Sequence, residues 1–200
     1  AITEVEKLAS NDPKTLVQGA AIAALAKTKD KKYLPLFEKG MSAISNSVKG
    51  NSLSGIAVLD PAKVASLAES IDLEGASENL ISELLPIIVK NKIVKQMPAI
   101  AGTAAFYPFI KFQKPELGDV AEEGFNWIMS SDNLKATENL TKILTQVKSQ
   151  IGQNPQAKMM IAQILKDGNE KKMLVLKANP SSPTINQQID LINKTIEAYK

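Results

Sequence analysis

A ten-residue stretch, Val17-Gln18-Gly19-Ala20-Ala21-Ile22-Ala23-Ala24-Leu25-Ala26, returns 31 residues later without a gap as Val48-Lys49-Gly50-Asn51-Ser52-Leu53-Ser54-Gly55-Ile56-Ala57. Valine falls on valine, Gly19 on Gly50, Ile22 on Leu53, Leu25 on Ile56 and Ala26 on Ala57. The register carries into the next segment, where Tyr33, Leu36 and Glu38 fall on Val64, Leu67 and Glu69. A fixed period of this size marks stacked helix pairs. In such a stack small residues let a neighbouring helix come close, while Val, Ile and Leu fill the seam. The expected fold is all-α: stacked antiparallel helix pairs in a HEAT- or armadillo-like superhelix of about ten to eleven helices. The expected organisation is one domain over residues 1–200. Its clearest repeats are 12–44 and 45–74, with less regular helices over 75–200.

Helix signals recur along the whole chain. Asp12-Pro13 reads as an N-cap followed by proline in the first helical position, and Asp60-Pro61 repeats the pattern. Lys29 to Lys32 is a charged turn. Gly75 and Ser77 mark a break, with Ser77 capping a helix that carries Leu80, Ile81, Leu84, Leu85 and Ile88. Pro86 is expected to kink that helix. Ser131-Asp132 caps an amphipathic helix through Leu134, Leu140, Leu144 and Ile151. Asn154-Pro155 opens another, expected to end near Asp167-Gly168-Asn169, with Met173 to Leu176 as a separate short segment. The last helix places Ile185, Ile189, Ile192 and Ile196 on one face. No segment alternates apolar and polar residues long enough to read as a strand.

The composition excludes much chemistry. The chain has no histidine, no cysteine and no arginine; all 24 basic residues are lysines, against 21 acids. The usual zinc ligands are absent, and neither Ser-His nor Cys-His pairs can be built. Without arginine there are no planar forks for bidentate phosphate or carboxylate recognition. A net charge of +3 predicts no nucleic-acid partner. The longest uncharged run, Gln96 to Ile110, is shorter than the roughly 20 apolar residues a membrane span needs, so no transmembrane segment is expected. Glu122 and Glu123 are adjacent and diverge by about 100° on a helix, so they cannot share a substrate. Glu38 and Glu69, at equivalent repeat positions, read as a solvated helix edge, and the Lys171-Lys172 pair as solvated lysines.

One cluster stands out. Phe106, Tyr107, Phe109 and Phe112 crowd four aromatics into seven positions. They read either as a docking face for another domain or as part of a helix buried all round, which the apolar run from Ile93 favours.

The segment Asp12-Pro13-Lys14-Thr15-Leu16-Val17-Gln18-Gly19-Ala20-Ala21-Ile22-Ala23-Ala24-Leu25 resembles the opening of the C-terminal helical domain of aminopeptidase N-like zinc aminopeptidases. The second copy, from Ser45-Asn46-Ser47-Val48 to Leu59-Asp60-Pro61, is similar to that domain's Ser-Tyr-x-Val to Leu-Asp-Pro unit, with Asn46 in place of the tyrosine. The resemblance spans residues 12–72 and is diffuse beyond. It implies a piece of a longer protein: a non-catalytic cap over an upstream thermolysin-like domain that holds zinc on a His-Glu-x-x-His motif. It implies no cofactor in this chain, and two partners, the upstream catalytic domain and peptide substrates entering by their N-termini. No family ligand can be placed here, because there is no histidine. The competing reading is a HEAT-like scaffold that binds a protein or peptide. A free-standing enzyme built on carboxylates and lysines alone is a third.

Overall fold

A computed structural model of the chain describes residues 2–74, 76–151 and 154–199. Gly75, read from sequence as part of a break, lies outside them. The described residues are all-helical, with twelve α-helices, three 3₁₀ turns and no strand. They gather in two compact units, Ala1–Gln96 and Met97–Lys200.

The first unit holds α1 (Ile2–Asn11), α2 (Thr15–Ala26), α3 (Leu34–Gly40), α4 (Asn46–Leu59), α5 (Val64–Ser70) and α6 (Glu78–Lys90). The 31-residue repeat is a long helix, a 3₁₀ turn and a short helix: α2, Lys31–Tyr33 and α3, then α4, Pro61–Lys63 and α5. A third copy that sequence reading did not pick out begins with α6 and the turn Val94–Gln96. Lys29 and Lys92, each two residues ahead of its 3₁₀ turn, both take the left-handed conformation, with φ of 56° and 50°. Ser77 does cap α6, accepting from the Leu80 N–H at 3.3 Å. Asp12 caps nothing helical. It accepts from the Lys14 N–H at 2.8 Å in a local turn, and α2 starts at Thr15.

The long helices stack in order, α2 on α4 and α4 on α6. Glycine sets the spacing. A Cβ on Gly19 would sit 2.7 Å from Ser47 Oγ, and one on Gly50 would sit 2.0 Å from Leu80 Cδ1. Both are helix-interior positions at which glycine is unfavourable by up to about 1 kcal/mol relative to alanine, and close approach explains why they are glycine. Gly55 serves the short helix in the same way, since its face receives the Phe37 ring, 2.5 Å from where a Cβ would lie. Phe37 is fully buried as a result.

The 3₁₀ turns tie each layer to the one before. Lys32 Nζ lies 3.2 Å from Glu6 Oε1 and Lys63 Nζ 2.6 Å from Glu38 Oε1, while Lys95 Nζ donates to the Glu69 carbonyl at 2.6 Å. In each case a turn lysine reaches back 25 or 26 residues to a glutamate position on the preceding short helix. Glu38 and Glu69 are exposed, as their equivalence suggested. Exposed pairs of this kind are screened by solvent and contribute little each, so the ladder specifies register more than it stabilises.

The second unit holds α7 (Met97–Ala105), α8 (Tyr107–Gln113), α9 (Pro115–Met129), α10 (Leu134–Ile151), α11 (Pro155–Ala178) and α12 (Ile185–Ala198). Here α7 packs on α9 and α10, and α12 on α10 and α11. Ile185, Ile189, Ile192 and Ile196 are all buried, as their spacing required. Two boundaries differ from expectation. α10 is capped by Asn133, whose Oδ1 accepts from the Ala136 N–H at 3.0 Å; Asp132 is engaged elsewhere. α11 does not end at Gly168 but runs on to Ala178, absorbing Met173 to Leu176. Gly168 is a contact glycine, with Met129 and Phe125 atoms 2.9–3.1 Å from where its Cβ would be.

The stacking makes a direct prediction. Gly50→Leu should destabilise the first unit by about 1–3 kcal/mol, because Leu80 already fills the space a larger side chain needs. Denaturant unfolding monitored by circular dichroism checks it, and an unchanged midpoint would dismiss the close-approach role.

Candidate docking face and a buried lysine network

The aromatic cluster is divided by Pro108. Because proline is tolerated only in a first turn, the helix begun at Met97 stops at Ala105 and α8 starts afresh at Tyr107. α7 is largely buried, with Ile100, Ala101, Ala104 and Ala105 inaccessible, whereas no residue of α8 is buried. The expectation of a helix buried all round through Ile110 is therefore corrected: the proline break lets α8 turn outward. Phe106 and Phe109 meet as a tilted pair, with ring centroids 6.2 Å apart and planes at 59°. Tyr107 turns onto Phe125 of α9 at 5.5 Å. Burial, with the negative charges of Glu122 and Asp167, raises its hydroxyl pKa. Phe112 stands apart, 84% exposed near the hairpin tip.

The α8–α9 hairpin that carries this face is fixed at one crossing. A Cβ on Gly118 would lie 2.4 Å from Lys111 Cα, so the two backbones touch there. Lys111 is ion-paired to Asp119 at 2.7 Å and Glu122 at 3.1 Å. What results is a half-exposed apolar surface with no acid-base pair on it.

The most perturbed group lies elsewhere in this unit. Lys172 is 0% exposed, which corrects its reading as a solvated lysine. Its ammonium donates to the carbonyls of Ile128 (3.0 Å) and Ser131 (2.5 Å), at the end of α9, and to Gln188 Oε1 (2.8 Å) of α12. Gln188 Oε1 also accepts from Thr137 Oγ1, and its amide donates to Asp132 Oδ1. Asp132 accepts in turn from Ser182 and Thr184. Burial lowers the Lys172 pKa to about 8, with the Asp132 charge opposing. Partial burial disfavours the Asp132 carboxylate, but the three hydrogen bonds and Lys172 outweigh it, so its pKa falls. All three ammonium hydrogens have acceptors, which makes this a structural clamp closing the α9 carbonyls that helix geometry leaves open. The register Ile161, Leu165, Gly168, Lys172 puts the lysine on the buried face of α11, a signal lost when the helix is ended at Gly168.

The first unit carries a small cleft of about 260 Å³ between α1, α2 and α3, lined by Ala9, Gln18, Ile22, Lys39 and Gly40 among others. Among the described residues no group of three or more His, Cys, Asp or Glu could hold a metal. No described helix is long and apolar enough to cross a membrane.

The clamp can be titrated. The unfolded chain keeps the Lys172 proton to about 10.5, while the folded chain releases it from about 8. Between those values unfolding takes up a proton, so this group's contribution to stability rises with pH and is flat below 8. Relative to Lys172→Met, the native chain should gain about 1–2 kcal/mol between pH 8 and 10; a pH-independent difference in unfolding free energy would contradict this. At the hairpin, Phe112→Lys should leave stability within about 0.5 kcal/mol, whereas Gly118→Ala should lower it, since the blocking atoms are backbone. Thermal melts of the two variants distinguish these outcomes.

Comparison with protein-family models, with curated proteins and with solved structures finds no match.

Proposed function

We propose that this chain is the non-catalytic helical cap of an aminopeptidase N-like zinc aminopeptidase. In this reading its stacked pairs form part of a HEAT-like superhelix that follows a catalytic domain and limits entry to peptide N-termini. The supporting observation is where the resemblance falls. The stretches 12–25 and 45–61 that carry it supply α2 and α4, the helices that stack through Gly19 and bear on α6 through Gly50. The segments that carry the resemblance are thus those that hold the spacing glycines of the array. The absence of histidine and cysteine agrees with a part that brings no zinc ligand of its own. The half-exposed Phe106, Tyr107 and Phe109, with the exposed Phe112, are the candidate surface for meeting the catalytic domain.

The test is deletion of residues 1–200 from the parent enzyme. The truncated enzyme should lose turnover or lose its preference for peptide ends; unaltered turnover and preference would reject the reading. The isolated chain should hold no stoichiometric zinc after dialysis. The second reading, a peptide-binding scaffold, rests on the cleft between α1, α2 and α3. It predicts peptide binding by the isolated chain that Ala43→Trp blocks, since Ala43 also lines the cleft.

A further inference from the structure

The lysine ladder identifies α1. Glu6 receives Lys32 as Glu38 receives Lys63, and as the Glu69 carbonyl receives Lys95. α1 therefore holds the position of a short second helix, like α3 and α5. α3 is preceded by the long helix α2, and α5 by α4. Among the described residues no helix takes the equivalent long-helix place against α2.

The face of α2 that borders this place is open. Leu16, Val17 and Ala20 correspond by the 31-residue period to Ser47, Val48 and Asn51 of α4. In α4 those positions are covered: Val48 is 1% and Asn51 8% exposed, and Gly19 of α2 lies against Ser47 and Asn51. In α2, Leu16 is 76% and Val17 37% exposed, and Ala20 is exposed as well. The same side of the same repeat is buried in one copy and bare in the other.

We propose that this face of α2 docks one further long helix of the same kind, continuing the α2–α4–α6 stack. Its chemistry follows from the interface it extends: an amphipathic helix with glycine or alanine at the crossing and aliphatic flanks. Lys14 and Lys27, which make no ion pair among the described residues, bound the face at its two ends, so acidic residues at the partner's ends complement it. A second copy of this chain does not fit, because the glycine edges it would have to offer, at Gly19 and Gly50, are occupied by α4 and α6. The donor is a helix from another part of the polypeptide that this chain caps. That identity rests on the function proposed above, whereas the docking face does not.

The probe is a copy of residues 12–28, the α2 helix with its own glycine edge, joined to the chain's N-terminus by a flexible linker that raises its local concentration to the millimolar range. The fused chain should melt higher, and its native α2 amides should exchange at least about tenfold more slowly. Ala20→Arg in the docking face should remove both gains yet leave the unfused chain's melt unchanged. Gly19→Leu within the fused copy should weaken both. The proposal is overturned if the fusion brings no gain, if the gain survives Ala20→Arg, or if the unfused chain is a dimer that Ala20→Arg dissociates. In the parent enzyme, amides 16–24 should be protected relative to the isolated chain. Equal exchange there, with the fusion result intact, would remove the donor assignment and keep the face.

Discussion

Where α2 meets α4, the next helix occupies the volume that a side chain on Gly19 would need, and Gly50 repeats the arrangement toward α6. The rest of the first unit depends on that approach. It brings the helices close enough for Ile22, Leu25, Leu53 and Ile56 to be completely enclosed. It also brings each 3₁₀ turn within lysine reach of the layer before. Each buried aliphatic side chain contributes roughly 1.5–3 kcal/mol of transfer free energy, far more than the exposed ion pairs that decorate the seam. The glycines are thus locally unfavourable and globally required, a conflict resolved by the packing they permit.

The second unit solves a different problem. Between α9 and α10 the chain leaves carbonyls facing inward beside the exposed Asp132 carboxylate, and Lys172 of α11 with Gln188 of α12 satisfies them as one connected network. Such a network is expensive to leave half made. Removing a buried charge's partners strands the charge, while the intact cluster adds little net stability. Its contribution is to specify one arrangement of four helices, α9 to α12, that aliphatic packing alone would hold less uniquely.

The all-helical class was legible because the apolar spacing is helical nearly everywhere, and the repeat was legible because it has no gap. The Ser77 cap and the isoleucine face of α12 were readable for the same local reasons. What misled was punctuation. Gly168 looks like a stop, yet it is a contact point in the middle of a 24-residue helix. Asp132 looks like a cap, yet Asn133 does that work while Asp132 serves a network drawn from residues 50 to 56 positions away. Pro108 was in plain view, but how far its break would turn α8 outward depends on the partners of α9, which no local pattern encodes. The aromatic face was located from composition; its division into a tilted pair, a tyrosine turned onto Phe125 and a bare Phe112 was not.

Sequence separation differs sharply between the two units. Bonds that tie the first unit's layers span 25 to 28 residues, as in Lys63 to Glu38, Tyr33 to Glu6 and Gln96 to Ala68. Those that close the second span 41 to 56, as in Lys172 to Ser131, Thr137 to Gln188, Tyr199 to Leu144 and Gln188 to Asp132. Local closure is kinetically cheap, and distant closure must wait for the chain between its ends. During synthesis the first unit can therefore settle layer by layer as each repeat leaves the ribosome. The second keeps one of the three Lys172 acceptors, Gln188, back until α12 has been made, so α12 acts as the latch that completes the network.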